Sequence, residues 1–355
     1  MSWWKFLSKG GYAKVKPSRE RVERGEKKKR STEIFEKPPL KMWLVNYQTM
    51  IRRYGGQRHP RLDSYDALKD SGELVEWRYV PLDATTSYIS HEWTGSSSPD
   101  HDGTQMYHLL RLLRRLRKGE ISRTDMDAFH SLLYKHNYTT TAEEWKLILD
   151  PEKTFIWYDG FSVPKEKRED GFRSIPAYIQ RCDFMIILAP GCTHFDKIDP
   201  KTKRKMNLCY RTYRLDARCV FEMFSSFLST KGGEKVRPSL LVRSGTGIPN
   251  WTSPLECQKL AVGTSSFQCC ELNHTTIQQC RKIAAEEILR DLVKQRSEFL
   301  CREKRLVEAR WTTCFEPWWL RGFSSERQSD LTLSEFKSKY VYWNSKTWFD
   351  LEGFS

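Results

Sequence analysis

Short apolar runs alternate with amphipathic segments through the middle of the chain, and this alternation predicts the fold. Five of the runs have the length of buried strands, and they lie at residues 85–93, 154–158, 183–189, 238–243 and 266–272. Three segments between them have apolar residues at helical spacing, at residues 104–118, 172–181 and 209–229. A strand, a helix and a returning strand form the repeating unit of a parallel α/β sheet. We therefore predict an open, parallel, five-stranded, flavodoxin-like sheet with helices on both of its faces.

The regions before this sheet have a different composition. Residues 1–40 are strongly charged and contain few apolar side chains, which predicts a basic, disordered arm. Residues 41–84 predict a helical and irregular lead-in, whose main helix covers residues 41–54 and stops at two glycines. Trp3, Trp4 and Phe6 lie beside lysines in the arm, so we expect at most a weak contact with an anionic membrane there.

The predicted core domain covers residues 85–290 and contains an insertion at residues 120–150. The insertion predicts two short helices, and Thr141 before two glutamates is suited to begin the second of them. After about residue 275, helical spacing continues to about residue 310 and predicts one long helix. Residues 291–355 therefore predict a helical, Trp-rich extension.

Charge and cysteine usage restrict the classes of partner and compartment. The net charge is +15 and the pI is about 9.3, so the chain attracts anions. No basic segment coincides with a nucleic-acid-binding motif, and nucleic acid is not a predicted partner. The ten cysteines form no CxxC pair and the eight histidines are scattered, which argues against a metal site. With no secretory signal and no apolar run long enough to cross a bilayer, we expect reduced thiols and a cytoplasmic location.

Polar side chains gather where the predicted strands end. In an open α/β sheet, ligands bind beyond the carboxyl ends of the strands, where the strand order reverses. The first and third predicted strands flank this point in a flavodoxin-like order, so the first strand's exit should lie near the helix that follows the third. The candidate residues on these segments are Ser90, His91, Trp93, Asp159, Phe161, Arg218, Cys219 and Glu222.

The sequence around these residues resembles the TIR (Toll/interleukin-receptor) domain superfamily, in particular a TIR-like branch of protist multidomain proteins. The resemblance covers about residues 87–285, and the strand–loop–strand pattern is also similar to that of heterokaryon-incompatibility domains. It is carried, in this order, by YISHEW, SSPDHDGTQ, FIWYDGFSVP, RSIPAYIQRCDFMIILAPGCTH, RLDARCVFEM and SSFQCCELNH. The superfamily has a WCxxE helix motif, of which Cys219 and Glu222 keep the CxxE spacing while Arg218 stands at the Trp position.

The resemblance implies a signalling or assembly module that acts through protein–protein contacts or self-assembly of the TIR-like domain. The alternative that it implies is an NAD glycohydrolase with Glu222 as the catalytic acid, which needs NAD as substrate and no cofactor. Cleavage of the nicotinamide–ribose bond develops oxocarbenium character, which a nearby carboxylate stabilises. We expect Trp93 or Phe161 to stack on nicotinamide or adenine and Arg218 to lie near phosphate.

Other hypotheses remain open from the sequence. Cys219 or Cys192, paired with His91 or His194, would make a thiol nucleophile. Asp159 is suited either to bind a metal or ligand or to cap the following loop, and Glu222 is equally compatible with a structural, salt-bridged acid. The chain has no GxGxxG sequence, so a classical dinucleotide-binding turn is not predicted.

Overall fold

A computed structural model of the chain describes residues 38–128, 131, 137–229, 238–253, 256–257, 260–265, 267, 281–320 and 323. Nearly all of the predicted arm, with its membrane contact, lies outside the described residues. So does the fifth predicted strand, at residues 266–272, except for Phe267, and so do the residues of the Trp-rich extension beyond residue 323.

The described residues contain eleven strands and ten α-helices. The strands are β1 Trp43–Asn46, β2 Leu74–Glu76, β3 Thr85–His91, β4 Arg123–Asp125, β5 Thr139–Thr141, β6 Thr154–Trp157, β7 Phe184–Leu188, β8 Cys192–Ile198, β9 Lys205–Leu208, β10 Ser239–Val242 and β11 Asn250–Thr252. The helices are α1 Tyr47–Tyr54, α2 Tyr65–Asp70, α3 Thr104–Lys118, α4 Ala142–Ile148, α5 Asp159–Ser162, α6 Arg168–Arg181, α7 Tyr210–Tyr213, α8 Ala217–Leu228, α9 Arg281–Arg302 and α10 Leu306–Trp319.

Seven of these strands form one mixed sheet, in the order β11-β10-β7-β3-β6-β1-β2. The four central strands, β10, β7, β3 and β6, are parallel. The chain moves outward from β3 to β6 through α3 and then returns past β3 to β7 through α6. Right-handed crossovers in opposite directions place their helices on opposite faces of the sheet. The strand order therefore reverses beside β3.

Each face of the sheet is covered by its own apolar core. Tyr88 and Trp157 stack at 4.3 Å in the core beneath α6, α8 and α9. Ile89 and Ile156 face the other core, which packs against α1, α3 and α4. β3 and β6 are therefore buried along their whole length, as expected of parallel strands with helices on both faces.

The edges of the sheet differ from the prediction of five parallel strands. β1 and β2 come from the predicted lead-in and pair antiparallel, and β11 pairs antiparallel with β10 at the other edge. The predicted helix over residues 41–54 begins only at α1, because Asn46 accepts a hydrogen bond from the backbone of Gln48 and caps it. The apolar residues of β1 were too few to separate a short strand from a helical turn.

Three predicted helices also change their limits. The predicted helix over residues 209–229 is interrupted, and α8 starts anew where Asp216 caps the backbone N–H of Cys219. α6 begins before residue 172, so Pro176 lies in its interior instead of its first turn. The predicted long helix breaks between α9 and α10, where Lys304 has a φ of 59°, and the two helices pack against each other. Trp319 of α10 packs against Phe224 and Phe227 of α8.

The insertion and the basic loop after β7 contain strands that periodicity did not predict. β4 occupies the first residues of the first inserted helix that was expected and pairs antiparallel with β5, and β8 pairs with β9 in the basic loop. Most of that expected helix, at residues 129–130 and 132–136, lies outside the described residues. Polar or charged residues make up at least half of each of these four strands, so no apolar run marks them. Among the described residues, no helix is long and apolar enough to cross a membrane.

Thr141 begins α4 through a reciprocal capping box, as its position predicts. The Thr141 hydroxyl accepts from the Glu144 backbone at 3.3 Å, and the Glu144 carboxylate accepts from the Thr141 backbone at 2.9 Å. We expect Thr141→Ala to lower the free energy of unfolding by about 1 kcal/mol, measured by urea denaturation. Thr193→Ala on exposed β8 serves as the control, and an equal loss in both variants would contradict a capping role.

Candidate functional site

A cleft of about 850 Å³ opens at the carboxyl ends of β3 and β6, beside the reversal of strand order. Its floor and walls include Trp93, Asp159, Arg218 and Glu222, four of the eight residues predicted from the strand ends. The N-terminal part of α6 and the segment between α1 and α2 form the other sides. The cleft therefore lies where open α/β sheets bind ligands.

Glu222 lies at the bottom of the cleft, with 2% of its surface exposed. The Tyr88 hydroxyl donates to its Oε1 at 2.9 Å, and the Ser90 hydroxyl donates to its Oε2. The Ser90 hydroxyl also lies 2.5 Å from the Tyr213 hydroxyl. Arg218, one helical turn earlier on α8, places Nε 3.6 Å from Oε1. Three side chains therefore fix the orientation of this carboxyl group.

Burial raises the pKa of Glu222 to about 7, although Arg218, Ser90 and Tyr88 act to lower it. Desolvation disfavours the charged form of a carboxyl group, and the cation and the donors favour it. Glu222 thus changes its charge close to neutral pH. A carboxyl group with a strongly shifted pKa in a cleft is typical of a functional site.

At Asp159, unlike at Glu222, the neighbouring charges and hydrogen-bond donors outweigh the effect of burial on the carboxyl group. It accepts hydrogen bonds from Arg218 Nη1, from His91 Nε2 at 2.8 Å and from Trp93 Nε1 at 2.7 Å. Burial alone would raise the pKa of Asp159, but Arg218, His91 and Trp93 hold it well below its usual range. Asp159 is therefore ionised at neutral pH and holds the three donors in place.

His91 is buried behind Asp159 and stacks on Tyr158 with ring centroids 4.6 Å apart. Its Nδ1 lies 2.6 Å from the Gln105 amide oxygen, and the Gln105 amide nitrogen donates to the Glu92 carbonyl at 2.8 Å. Both ring nitrogens of His91 therefore have a hydrogen-bond partner. His91 positions Asp159 and does not line the cleft.

Gln105 is placed by the tight entry to α3. Gly103 has a φ of 72°, and a Cβ on it would lie 2.1 Å from the carbonyl oxygen of Pro60. Only glycine therefore fits at this close approach. The Asp100 carboxylate then accepts from the backbone N–H groups of Gln105 and Met106, at 3.2 and 2.8 Å.

Arg218 connects the two carboxylates. Its Nη1 pairs with Asp159, its Nη2 donates to the His91 carbonyl at 2.7 Å, and its Nε faces Glu222. The neighbouring carboxylates raise the pKa of Arg218 well above its ordinary value, against the effect of burial. All three guanidinium nitrogens are thus engaged within the protein. This differs from the expectation that Arg218 is available to phosphate.

The structure separates the eight predicted residues into two groups. Six belong to one connected network: Ser90, His91, Trp93, Asp159, Arg218 and Glu222. Phe161 instead lies in the core, stacked on Tyr54 at 6.4 Å and against Tyr158 at 5.2 Å, because α5 turns its side chain inward. Phe161 therefore cannot stack on a ligand. Cys219 is also fully buried.

Thiol chemistry and metal binding are both disfavoured at this site. Burial raises the pKa of Cys192 to about 12 and that of Cys219 well above its ordinary value, whereas a nucleophilic cysteine must be a thiolate. Both oxygens of Asp159 face N–H donors, which leaves it poorly suited to a cation. In the part of the chain that the structure describes, no group of three or more His, Cys, Asp or Glu side chains is placed to hold a metal.

Sequence reasoning missed Tyr88, Tyr213 and Arg168. Tyr88 stands two residues before Ser90 on β3, so the strand period alone places both side chains on the face that α8 covers. That signal was available in the sequence. Arg168 reaches the site as the first residue of α6, and Tyr213 reaches it from the short helix α7. No apolar periodicity fixes where these two helices begin.

The chain matches no protein-family model, no curated protein and no solved structure. Its function has therefore to be inferred from the geometry of this cleft.

Proposed function

We propose that this chain contains a flavodoxin-like, TIR-like domain that cleaves the nicotinamide–ribose bond of NAD, with Glu222 as the catalytic carboxyl group. The observation that carries this proposal is a buried carboxyl group with a pKa of about 7 at the floor of a cleft. The position of the cleft, at the reversal of strand order, supports a nucleotide ligand.

The proposed reaction is a hydrolysis. The bond between the nicotinamide nitrogen and ribose C1′ breaks, and its electron pair leaves with the neutral nicotinamide. The ionised Glu222 stabilises the positive charge that develops on the ribose, or accepts hydrogen bonds from the ribose hydroxyls. Water then attacks C1′ and loses a proton, which yields ADP-ribose. The reaction needs no oxidant and no cofactor.

The network around Glu222 prepares its carboxylate for this role. Tyr88 and Ser90 hold one donor against each carboxylate oxygen, and Arg218 supplies a positive charge from the same helix. Preorganised groups need no rearrangement when charge develops in the transition state. Of the two residues expected to stack on a ligand base, Trp93 lines the cleft, whereas Phe161 is in the core.

Release of nicotinamide from NAD by the purified chain tests this proposal. We expect turnover by the wild type and a loss of about 100-fold or more in Glu222→Gln. Glu92→Gln is the matched control, since burial also raises the pKa of Glu92 to about 7 while its carboxylate faces Thr212 instead of the cleft. No turnover at high protein concentration, or equal turnover in wild type and Glu222→Gln, would refute the proposal.

The pH dependence of this turnover gives a second prediction. If the ionised form of Glu222 acts, the rate rises with pH through about 7. Tyr88→Phe removes a donor that favours the ionised form, so it raises the pKa of Glu222. The acid limb of the pH–rate profile should then move upward by about one pH unit. An unchanged limb would show that another group controls it.

A specific surface favours assembly as a second function. The β8–β9 hairpin forms a sheet of its own, and Phe195 and Ile198 on it are 49% and 53% exposed. We propose that this hairpin contacts a second copy of the chain when the TIR-like domain assembles. Light scattering over a range of concentrations should show an oligomer that Phe195→Ser with Ile198→Ser abolishes. A strict monomer at every concentration would contradict self-assembly.

The described cysteines are compatible with the proposed cytoplasmic location. All seven of them are free thiols, and oxidising compartments favour disulfides in proteins with many cysteines. Detection of the chain in a secreted fraction would contradict this location.

A further inference from the structure

The side chains around the cleft carry more positive charge than their partners neutralise. Three carboxyl groups line it, from Asp63, Asp159 and Glu222. Six cationic side chains line it, from Arg53, Arg61, Lys165, Arg168, Arg218 and Arg281. An excess of cations at the wall of a cleft raises the local concentration of anionic ligands.

Half of these cations already have a carboxylate partner. Arg53 pairs with Asp63 and Glu73, and Arg218 pairs with Asp159. Arg281 binds Glu169 through two nitrogens, at 2.9 and 2.7 Å. Arg61, Lys165 and Arg168 have no carboxylate within ion-pair distance among the described residues. Arg61 and Lys165 are exposed, whereas Arg168 is half-buried inside the cleft.

Arg168 is held in the cleft by weak contacts. Its guanidinium lies 4.9 Å from the centre of the Trp93 ring, and one of its nitrogens donates to the Ser97 carbonyl at 3.2 Å. Burial lowers the pKa of Arg168, and the positive charges of Arg281 and Arg218 lower it further, against the effect of Asp159. A bound anion would relieve both the desolvation and the repulsion.

We infer that Arg168 forms a binding subsite for a diphosphate group. The planar guanidinium binds phosphate oxygens through two parallel hydrogen bonds, which a lysine cannot reproduce. Under the proposed function, on which this inference rests, the ligand is the diphosphate that joins the two nucleosides of NAD. This subsite replaces the expected role of Arg218, whose nitrogens are occupied by Asp159, His91 and Glu222.

Trp93 connects the subsite to the network of the proposed catalytic group. Trp93 contacts the Arg168 guanidinium through its ring and Asp159 through its indole N–H. Arg218 also packs against this ring, 5.1 Å from its centre, and reaches Glu222. A dinucleotide with its diphosphate on Arg168 thus has its ribose side directed along Trp93 toward Glu222.

Binding of ADP-ribose, measured by isothermal titration calorimetry on the full chain, tests the subsite without any turnover. We expect Arg168→Gln to weaken binding by at least about tenfold, and Arg168→Lys to weaken it less because the charge is kept. Lys167→Gln is the matched control, an exposed neighbour that does not line the cleft. Adenosine, which lacks the diphosphate, should bind the wild type and Arg168→Gln equally. Thermal unfolding of each variant checks that it is folded.

The outcomes separate this inference from the proposed reaction. Equal ADP-ribose affinity in the wild type and a folded Arg168→Gln, or no ADP-ribose binding by the wild type, would overturn the subsite. Binding that depends on Arg168 without any nicotinamide release would overturn the reaction and keep the subsite. Turnover that depends on Glu222, with a KM for NAD that is unchanged in Arg168→Gln, would keep the reaction and overturn the subsite.

Discussion

Replacement of Asp159 by alanine is expected to lower the free energy of unfolding by about 3–5 kcal/mol at pH 7. Asp159 is the shared acceptor of Arg218, His91 and Trp93. Without it, a guanidinium that is 17% exposed loses its counter-charge, and a fully buried imidazole loses a hydrogen-bond acceptor. An uncompensated buried charge costs much more than the pair contributed. Urea denaturation of the two proteins measures the difference.

The pH dependence of this loss has a definite sign. The pKa of Asp159 in the folded chain lies well below its usual range, so its stabilising contribution is present above about pH 4. It is lost as the pH falls further, and the difference between wild type and Asp159→Ala should shrink accordingly. Asp83→Ala is the control, because Asp83 pairs with Lys153 at an exposed site and such pairs contribute little. Equal midpoints for wild type and Asp159→Ala would refute the role given to this carboxylate.

Glu222→Gln is expected to stabilise the chain at alkaline pH, in addition to the loss of turnover expected under the proposed function. The pKa of Glu222 is about 7 in the folded chain against an ordinary value of 4.5, a difference that corresponds to about 3 kcal/mol. A carboxyl group with a raised pKa contributes stability below about pH 4.5 and loses it as the pH rises through about 7. The amide does not ionise. Its advantage over the wild type should therefore grow by roughly 2–3 kcal/mol between pH 5 and pH 8.

Denaturation midpoints at several pH values between 5 and 8 measure this advantage. Glutamine keeps the volume of the side chain and can still accept a hydrogen bond from the Tyr88 hydroxyl. The substitution therefore creates no cavity that would itself lower the stability. If Glu222→Gln is instead less stable than the wild type at every pH, Glu222 is a structural partner of Arg218. That result would favour the salt-bridged acid that the sequence also allowed.

The centre of the fold was predictable because strands that are buried on both faces form continuous apolar runs in the sequence. β3, β6, β7 and β10 each coincide with an apolar run, and α3 has the limits that its leucine spacing predicts. The reversal of strand order beside β3 then places Ser90 next to the helix of Glu222. This proximity follows from topology alone, before any side-chain position is known.

The edges of the fold and the division of roles in the site were not predictable in this way. β2 has three residues and β9 has four, so neither is long enough for an apolar period to identify it. The roles of the two carboxyl groups depend on which donors surround each one. Arg218 is compatible with a phosphate contact in the sequence. Only the structure shows that its guanidinium is engaged by Asp159, the His91 carbonyl and Glu222.

The position of β1 has a consequence for any shorter form of this protein. β1 pairs along β6, with Val45 opposite Ile156 and Asn46 opposite Phe155. A chain begun at residue 85, where the core domain was predicted to start, would leave unpaired the backbone N–H and C=O groups of β6 that face β1, while β6 stays paired with β3. Such an open edge is a template for strand addition by another molecule. Filaments formed by that shorter chain would therefore result from the loss of β1. A native interface should be studied in forms of this protein that retain residues 41–84.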